Sequence, residues 1–177
     1  MKKPQYLLSV LACSLLLAAC SSRSIGNAID DQFLEPRVDN AIEGAHADLN
    51  STTSHIVITA YNGVVLLAGQ TPRADLKQMA EQAARRTQGA RQVYNYLQVL
   101  PPSSALARSN DAGLTSQIKT MMLANNTVPS AKIKVVTENG IVYLLGLVTR
   151  AEADRATEVA QSAGGVQKVV RLFEYTN

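Results

Sequence analysis

The chain contains one unit twice. Laying residues 58–88 on 135–165 pairs Ile58-Thr59-Ala60-Tyr61-Asn62-Gly63-Val64-Val65-Leu66-Leu67-Ala68-Gly69 with Val135-Val136-Thr137-Glu138-Asn139-Gly140-Ile141-Val142-Tyr143-Leu144-Leu145-Gly146. Farther on, Arg73-Ala74 meets Arg150-Ala151, Glu81 meets Glu158 and Ala83 meets Ala160, so nine of the 31 pairs are identical. One deletion after this block brings Gly89 to Val99 onto Gly165 to Tyr175. Upstream, Leu34, Val38 and Ile42 correspond to Leu114, Ile118 and Met122. A self-match of this kind marks a repeated folding unit. The chain is therefore read as two small domains, residues 30–99 and 109–177, and not as one core of 177 residues.

Each copy reads helix, strand, strand, helix, strand. The first helix shows apolar residues four apart: Leu34, Val38, Ile42 and Leu114, Ile118, Met122. Asn62-Gly63 and Asn139-Gly140 lie between apolar runs, a strong hairpin signal because both turn positions need positive φ. Gly69 and Gly146 are expected to end the hairpins. The second helix is expected to start at Thr71-Pro72 in copy one. In copy two it starts at a capping box, Thr149-Arg150-Ala151-Glu152. Its buried stripe is small: Leu76, Ala80, Ala83 and Ala153, Ala156, Ala160. Gly89 and Gly164-Gly165 stop these helices, and the last strands are Val93–Val99 and Val169–Tyr175. A strand–helix–strand crossover makes the second and third strands parallel beside an antiparallel hairpin. The fold class is α+β, two helices on a three-stranded mixed sheet, made twice. Residues 100–108, with Pro101-Pro102-Ser103-Ser104, form the linker.

The N-terminus is an address. Lys2 and Lys3 precede an apolar run from Leu7 to Leu17, too short for a bilayer span, which needs roughly 20 residues. The run ends in Leu17-Ala18-Ala19-Cys20, which looks like a bacterial lipobox. Residues 1–19 are read as a lipoprotein signal peptide, and Cys20 as the thiol that accepts the lipid. Cys13 leaves with the signal, so the mature chain has no disulfide and its fold rests on core burial. Two or more acyl chains give durable membrane attachment. Residues 20–29 are then a polar, turn-prone tether, reaching at most about 30–35 Å when extended. Ser21 follows the cysteine; in lipoproteins of double-membrane bacteria, which this segment resembles, a residue other than Asp there favours the outer membrane. Removing Lys2 and Lys3 leaves 15 basic and 14 acidic residues, so the basic pI of 8.9 comes mostly from the leader.

The paired units resemble BON domains, on the strength of Asn62-Gly63-Val64-Val65-Leu66-Leu67-Ala68-Gly69 and Glu138-Asn139-Gly140-Ile141-Val142-Tyr143-Leu144-Leu145-Gly146. A lipobox followed by two such units is similar to the dual-BON outer-membrane lipoproteins. That resemblance implies a lipid-anchored protein on the periplasmic face of the outer membrane, binding phospholipid and supporting envelope integrity.

Catalytic and metal chemistry find no foothold. His46 and His55 are the only histidines and have neither a cysteine partner nor His-x-x-x-His spacing. Ser51-Thr52-Thr53-Ser54-His55 puts hydroxyls near an imidazole, but sequence neighbours rarely form a nucleophile–base pair. Asp30-Asp31 reads as a helix cap region. No phosphate-cradling glycine motif occurs, and no run of like charge supports nucleic-acid binding. The chain is read as a non-enzyme without cofactor or metal.

Charge separates the copies. Residues 30–99 carry 8 acidic and 6 basic side chains, net −2; residues 109–177 carry 6 and 7, net +1. This suits a second copy that meets an anionic surface, and equally suits drift on solvated faces. On the helix around 112–124, Leu123 falls about 180° from Leu114, with Lys119 at about 140° and Ser116 at about 200°. An outward leucine beside a lysine suits a shallow membrane contact, apolar tip inserted and ammonium at a phosphate. The pattern also admits a frayed helix end with Leu123 packed under the next loop. Lys132 and Lys134 are expected to share the sheet face away from the helices, holding headgroups or keeping that face soluble. The candidate lipid-binding residues are thus Ser116, Lys119, Leu123, Lys132 and Lys134. In copy one the positions of the two sheet lysines hold His55 and Val57, and Val64 and Leu66 add apolar surface. That face is expected to meet copy two or another protein. Two functions follow: binding of anionic phospholipid through the second unit, or contact with envelope assembly proteins through the sheet faces.

Overall fold

The computed structural model describes residues 25–176, with side chains from residue 30 onward. Residues 1–19 and Cys20 lie outside the described residues. Copy one comprises helix α1 (Ile25–Glu43), strands β1 (His55–Tyr61) and β2 (Val64–Thr71), helix α2 (Ala74–Arg86), and strands β3 (Gln92–Asn95) and β4 (Gln98–Val99). Copy two comprises α3 (Ala105–Ala124), β5 (Ile133–Glu138), β6 (Ile141–Val148), α4 (Arg150–Ser162) and β7 (Lys168–Tyr175). In each copy an antiparallel hairpin adds a parallel strand beside its second strand, as the crossover argument requires.

The hairpin turns follow from Asn-Gly. Asn62 and Gly63 have φ of 52° and 75°, Asn139 and Gly140 of 49° and 70°. One carboxylate clamps each turn from the first helix. Asp31 accepts from the backbone N–H of Asn62 (2.5 Å) and Gly63 (2.8 Å); Asp111 accepts from those of Asn139 and Gly140 (both 2.9 Å). Both carboxylates are buried, so each helix and the hairpin turn beside it are held together. Asp31, read from the sequence as part of a helix cap region, therefore lies inside α1 and anchors a hairpin.

Several boundaries differ from the sequence reading. Helix α1 begins at Ile25, inside the expected tether, so no more than about 15–18 Å of extended chain separates it from Cys20. Helix α3 begins at Ala105, its Ser104 hydroxyl accepting from Ala107 N–H (3.2 Å), which shortens the linker. Thr71 closes β2 and is buried, while α2 starts at Ala74 after Arg73, which makes no side-chain cap. The Thr149–Glu152 capping box is present. With Arg73 and Thr149 as equivalent caps, the one-residue deletion falls in the turn before the second helix, not after it. The buried stripes are accordingly Leu76, Ala80, Ala84 and Ala153, Ala156, Ala160. Arg73/Arg150, Glu81/Glu158 and Ala83/Ala160 match in letters but not in place. Gly69 and Gly146 sit within β2 and β6, paired with Ile56 and Ile133, instead of ending the hairpins.

The third strand of copy one is broken. Tyr96 N–H still donates to Leu67 O (2.8 Å), but Asn95 turns its amide to Lys77 O (2.8 Å) and Leu97 drops into the core. The break places the Tyr96 ring 5.2 Å, centroid to centroid, from Tyr143 of copy two.

Three cores result. Each copy buries its helices against one sheet face, around Leu34, Val38, Ile42, Leu67 and Leu76 in one and Ile118, Met122, Val135, Leu144 and Ala156 in the other. The third core joins the outer sheet faces: Tyr61, Val64, Leu66 and Ala68 against Tyr143, Leu145, Val170 and Leu172. The apolar outer face of copy one thus meets copy two. Polar contacts ring this core: Lys134 Nζ to Glu35 (3.0 Å) and Ala60 O (2.8 Å), Arg91 to Glu174 (2.7 Å), and Asn139 to Gln98 (2.9 Å).

One further contact at this seam holds a carboxyl with a raised pKa. Glu138 is buried at the seam, 3.3 Å from His55 Nε2 and 3.5 Å from Gln70 Nε2. Burial pushes its carboxyl above the usual range; His55 and Gln70 oppose that, and Asp111 adds to it. Burial, with Tyr96 and Glu138, pushes the adjacent Tyr143 hydroxyl up to about 12. The fold therefore prefers protonated Glu138, and stability present in acid is lost as pH rises through its raised pKa. Glu138→Gln should raise Tm by roughly 2–4 °C at about pH 8, equivalent to about 1 kcal/mol. The gain should vanish near pH 4, where the carboxyl is neutral. Melting both proteins across that range checks this; an equal gain at both ends would contradict it.

Candidate functional site

Helix α3 buries Leu114, Ile118 and Met122 and turns its opposite side to solvent. Ser116, Lys119 and Leu123 are all exposed there, Leu123 to 70% of its surface. The helix is regular to Ala124, with the N–H of Asn125 closing on Met122 O (3.3 Å). Leu123 therefore belongs to an ordered turn and points outward, not under the following loop. Across from it runs the turn Ser130–Lys132, which leads into β5. Lys119, Leu123, Ser130 and Ala131 border one shallow hollow. Among the described residues no carboxylate is paired with the Lys119 ammonium.

The structure does not gather all five candidates. Ser116, Lys119 and Leu123 share the outer side of α3, and Lys132 lies in the adjoining turn, not in a strand. Its charge is one of those that help hold the Glu152 carboxyl below the usual range, chiefly an effect of the Thr149 N–H. Lys134 does point from the sheet face away from the helices, but that face is covered by copy one. Its ammonium is held by Glu35 and Ala60 O, which removes it from a lipid contact.

The duplication supplies an internal comparison that the sequence already held. Helix positions correspond through the buried triplets Leu34, Val38, Ile42 and Leu114, Ile118, Met122. On that register Asp39 stands where copy two has Lys119, and Glu43 where it has Leu123. Both acidic side chains are exposed. The same face of the same helix is thus anionic in copy one and cationic with an apolar tip in copy two.

Other candidates resolve into structure. His46 Nδ1 accepts from Asp48 N–H (3.0 Å) and caps the short turn Ala47–Leu49. The Ser54 hydroxyl is buried, 2.7 Å from Asp48 O and 3.2 Å from Thr71 Oγ1, and serves the loop, not His55. Among the described residues no three of His, Cys, Asp or Glu converge as a metal site, and no helix is long and apolar enough to cross a membrane.

The BON domain family matches residues 30–101 and again 110–177. The chain is 40% identical over 157 residues to the outer membrane lipoprotein DolP of Haemophilus influenzae, covering 89% of this chain and 80% of that one. It is 37% identical over 153 residues to a 21 kDa hemolysin of Actinobacillus pleuropneumoniae, covering 86% and 78%. It is 32% identical over 152 residues to osmotically-inducible protein Y of Escherichia coli, covering 84% and 74%. The chain belongs to the BON domain family, as an outer-membrane lipoprotein built from two copies of that domain.

Proposed function

We propose that the protein binds anionic phospholipid at a bilayer surface through the outer side of α3 and the Ser130–Lys132 turn, and that it acts by binding and not by catalysis. The observation that carries this reading is the contrast of Lys119 and Leu123 with Asp39 and Glu43 on one shared helix position. A face that only needed to stay soluble could keep either pair; an anionic bilayer repels one pair and accepts the other. The Cys20 anchor confines a weak contact near the membrane, at an effective concentration of roughly millimolar. The lipid contact then sorts the anchored protein among membrane regions by their charge. Supporting envelope integrity follows from that placement.

Contact with envelope assembly proteins through the sheet faces has less support, because those faces are spent on each other in the third core. Chemical-shift mapping tests the lipid reading. Every core residue lies at or after Leu34, so a fragment of residues 21–177 keeps the whole packing. With anionic micelles, shifts should centre on Ser116–Leu123 and Ser130–Lys132 and spare Pro36–Glu43. Equal shifts with zwitterionic micelles, or shifts centred on copy one, would contradict it.

A further inference from the structure

The hollow beside Leu123 opens into the core of copy two. Its volume is about 180 Å³; Met122, Ile133 and Val135 form its floor, and Lys119, Leu123, Ser130 and Ala131 its rim. The floor residues are buried members of that core. The opening is thus apolar inside, with one ammonium and one hydroxyl at the mouth.

The loop that borders it is short. Between buried Val128 and Ile133, copy two has only Pro129–Lys132. Copy one spends Asn50–His55 on the corresponding step, in a turn where Asn50 Oδ1 accepts from Thr52 N–H (2.9 Å) and Thr53 N–H (3.3 Å). The position of exposed Ala131 is held there by Ser54, buried and hydrogen-bonded to Asp48 O. With Asp39 and Glu43 above it, the copy one site is polar and anionic where the copy two site is apolar and cationic.

Resting on the lipid reading above, we infer that this hollow is a binding site for the acyl chain of one anionic phospholipid. The chain lies on Met122, Ile133 and Val135, and the headgroup phosphate meets Lys119 Nζ and the Ser130 hydroxyl. The charge at the mouth selects an amphiphile with an anionic head over a neutral one. Apolar cavities near 150 Å³ accept a molecule the size of benzene, so the site takes a segment of a chain and leaves the rest in the bilayer. Copy two then holds a single lipid in a 1:1 site as well as touching the surface.

The test uses the 21–177 fragment and dihexanoyl phosphatidylglycerol kept below its micellar concentration, with glycerol phosphate as the headgroup alone. The Met122 and Ile133 methyl signals should move saturably with the lipid and stay still with glycerol phosphate. Lengthening the chains should tighten binding about four-fold per methylene until the hollow is full. Ala131→Leu, a change at an exposed rim position, should fill the hollow and abolish the methyl shifts with an unchanged unfolding midpoint. Still methyls with the lipid, equal shifts with glycerol phosphate, or full lipid binding by Ala131→Leu would each overturn the inference. Vesicle sedimentation of the unchanged fragment reads the surface contact separately, so loss of one reading is distinguishable from loss of the other.

Discussion

Replacing Gly69 with alanine is expected to destabilise copy one severely. Its φ is +110°, and a Cβ there would lie 2.0 Å from His55 O. That oxygen belongs to backbone at the start of β1, where His55 pairs with Gln70 and Ile56 with Gly69, so it cannot step aside without dismantling the hairpin. Left-handed strain and overpacking together cost about 3–5 kcal/mol, a large share of a small domain's stability. The equivalent Gly146→Ala is milder: its Cβ would lie 2.5 Å from Lys132 O, and its φ is not in the left-handed region. A cost of about 1–3 kcal/mol follows from overpacking alone. Denaturant titrations should therefore rank Gly69→Ala well below Gly146→Ala. A Gly69→Ala midpoint equal to that of the unchanged protein would contradict the close strand crossing.

Most of this architecture was legible in the letters. Asn-Gly fixes the turns by its tolerance of positive φ, and the duplicated pattern fixes the domain count. Helix periodicity picked out the buried triplets and left Leu123 outward. Matching letters misled where two local chemistries compete. Arg73-Ala74 and Arg150-Ala151 match, yet Pro72 lengthens the turn of copy one by a residue and shifts the helix register. Strand propensity ran through Tyr96-Leu97, but the demand of the core for Leu97 breaks the strand. Lys134 was placed on the correct sheet face, and what covers that face is a tertiary fact no local pattern carries. The hairpin clamps were hidden for a different reason. Asp31 and Asp111 occupy equivalent positions three residues before Leu34 and Leu114, a signal visible only once the helices are aligned to each other. The same alignment exposes Asp39 and Glu43 against Lys119 and Leu123, the contrast on which the site rests.

The largest functional effect should come from giving copy two the residues of copy one. Lys119→Asp replaces a cation with an anion, worth about 2 kcal/mol at roughly 1 kcal/mol per charge near an anionic surface. Leu123→Glu removes an inserting side chain worth about 1.5–3 kcal/mol and adds a repelled charge. The double variant should bind anionic vesicles at least 100-fold more weakly. Both positions lie off the buried stripe of α3, so helical content and unfolding midpoint should be unchanged. Lys77→Glu, on α2 of copy one, removes the same kind of charge away from the contact and should reduce binding little. Co-sedimentation of these proteins with anionic vesicles is the most direct measurement of the central claim. It predicts loss of binding in the Lys119→Asp/Leu123→Glu variant with near-normal binding in Lys77→Glu. Undiminished binding by the folded double variant, or an equal loss in Lys77→Glu, would contradict a lipid contact centred on α3.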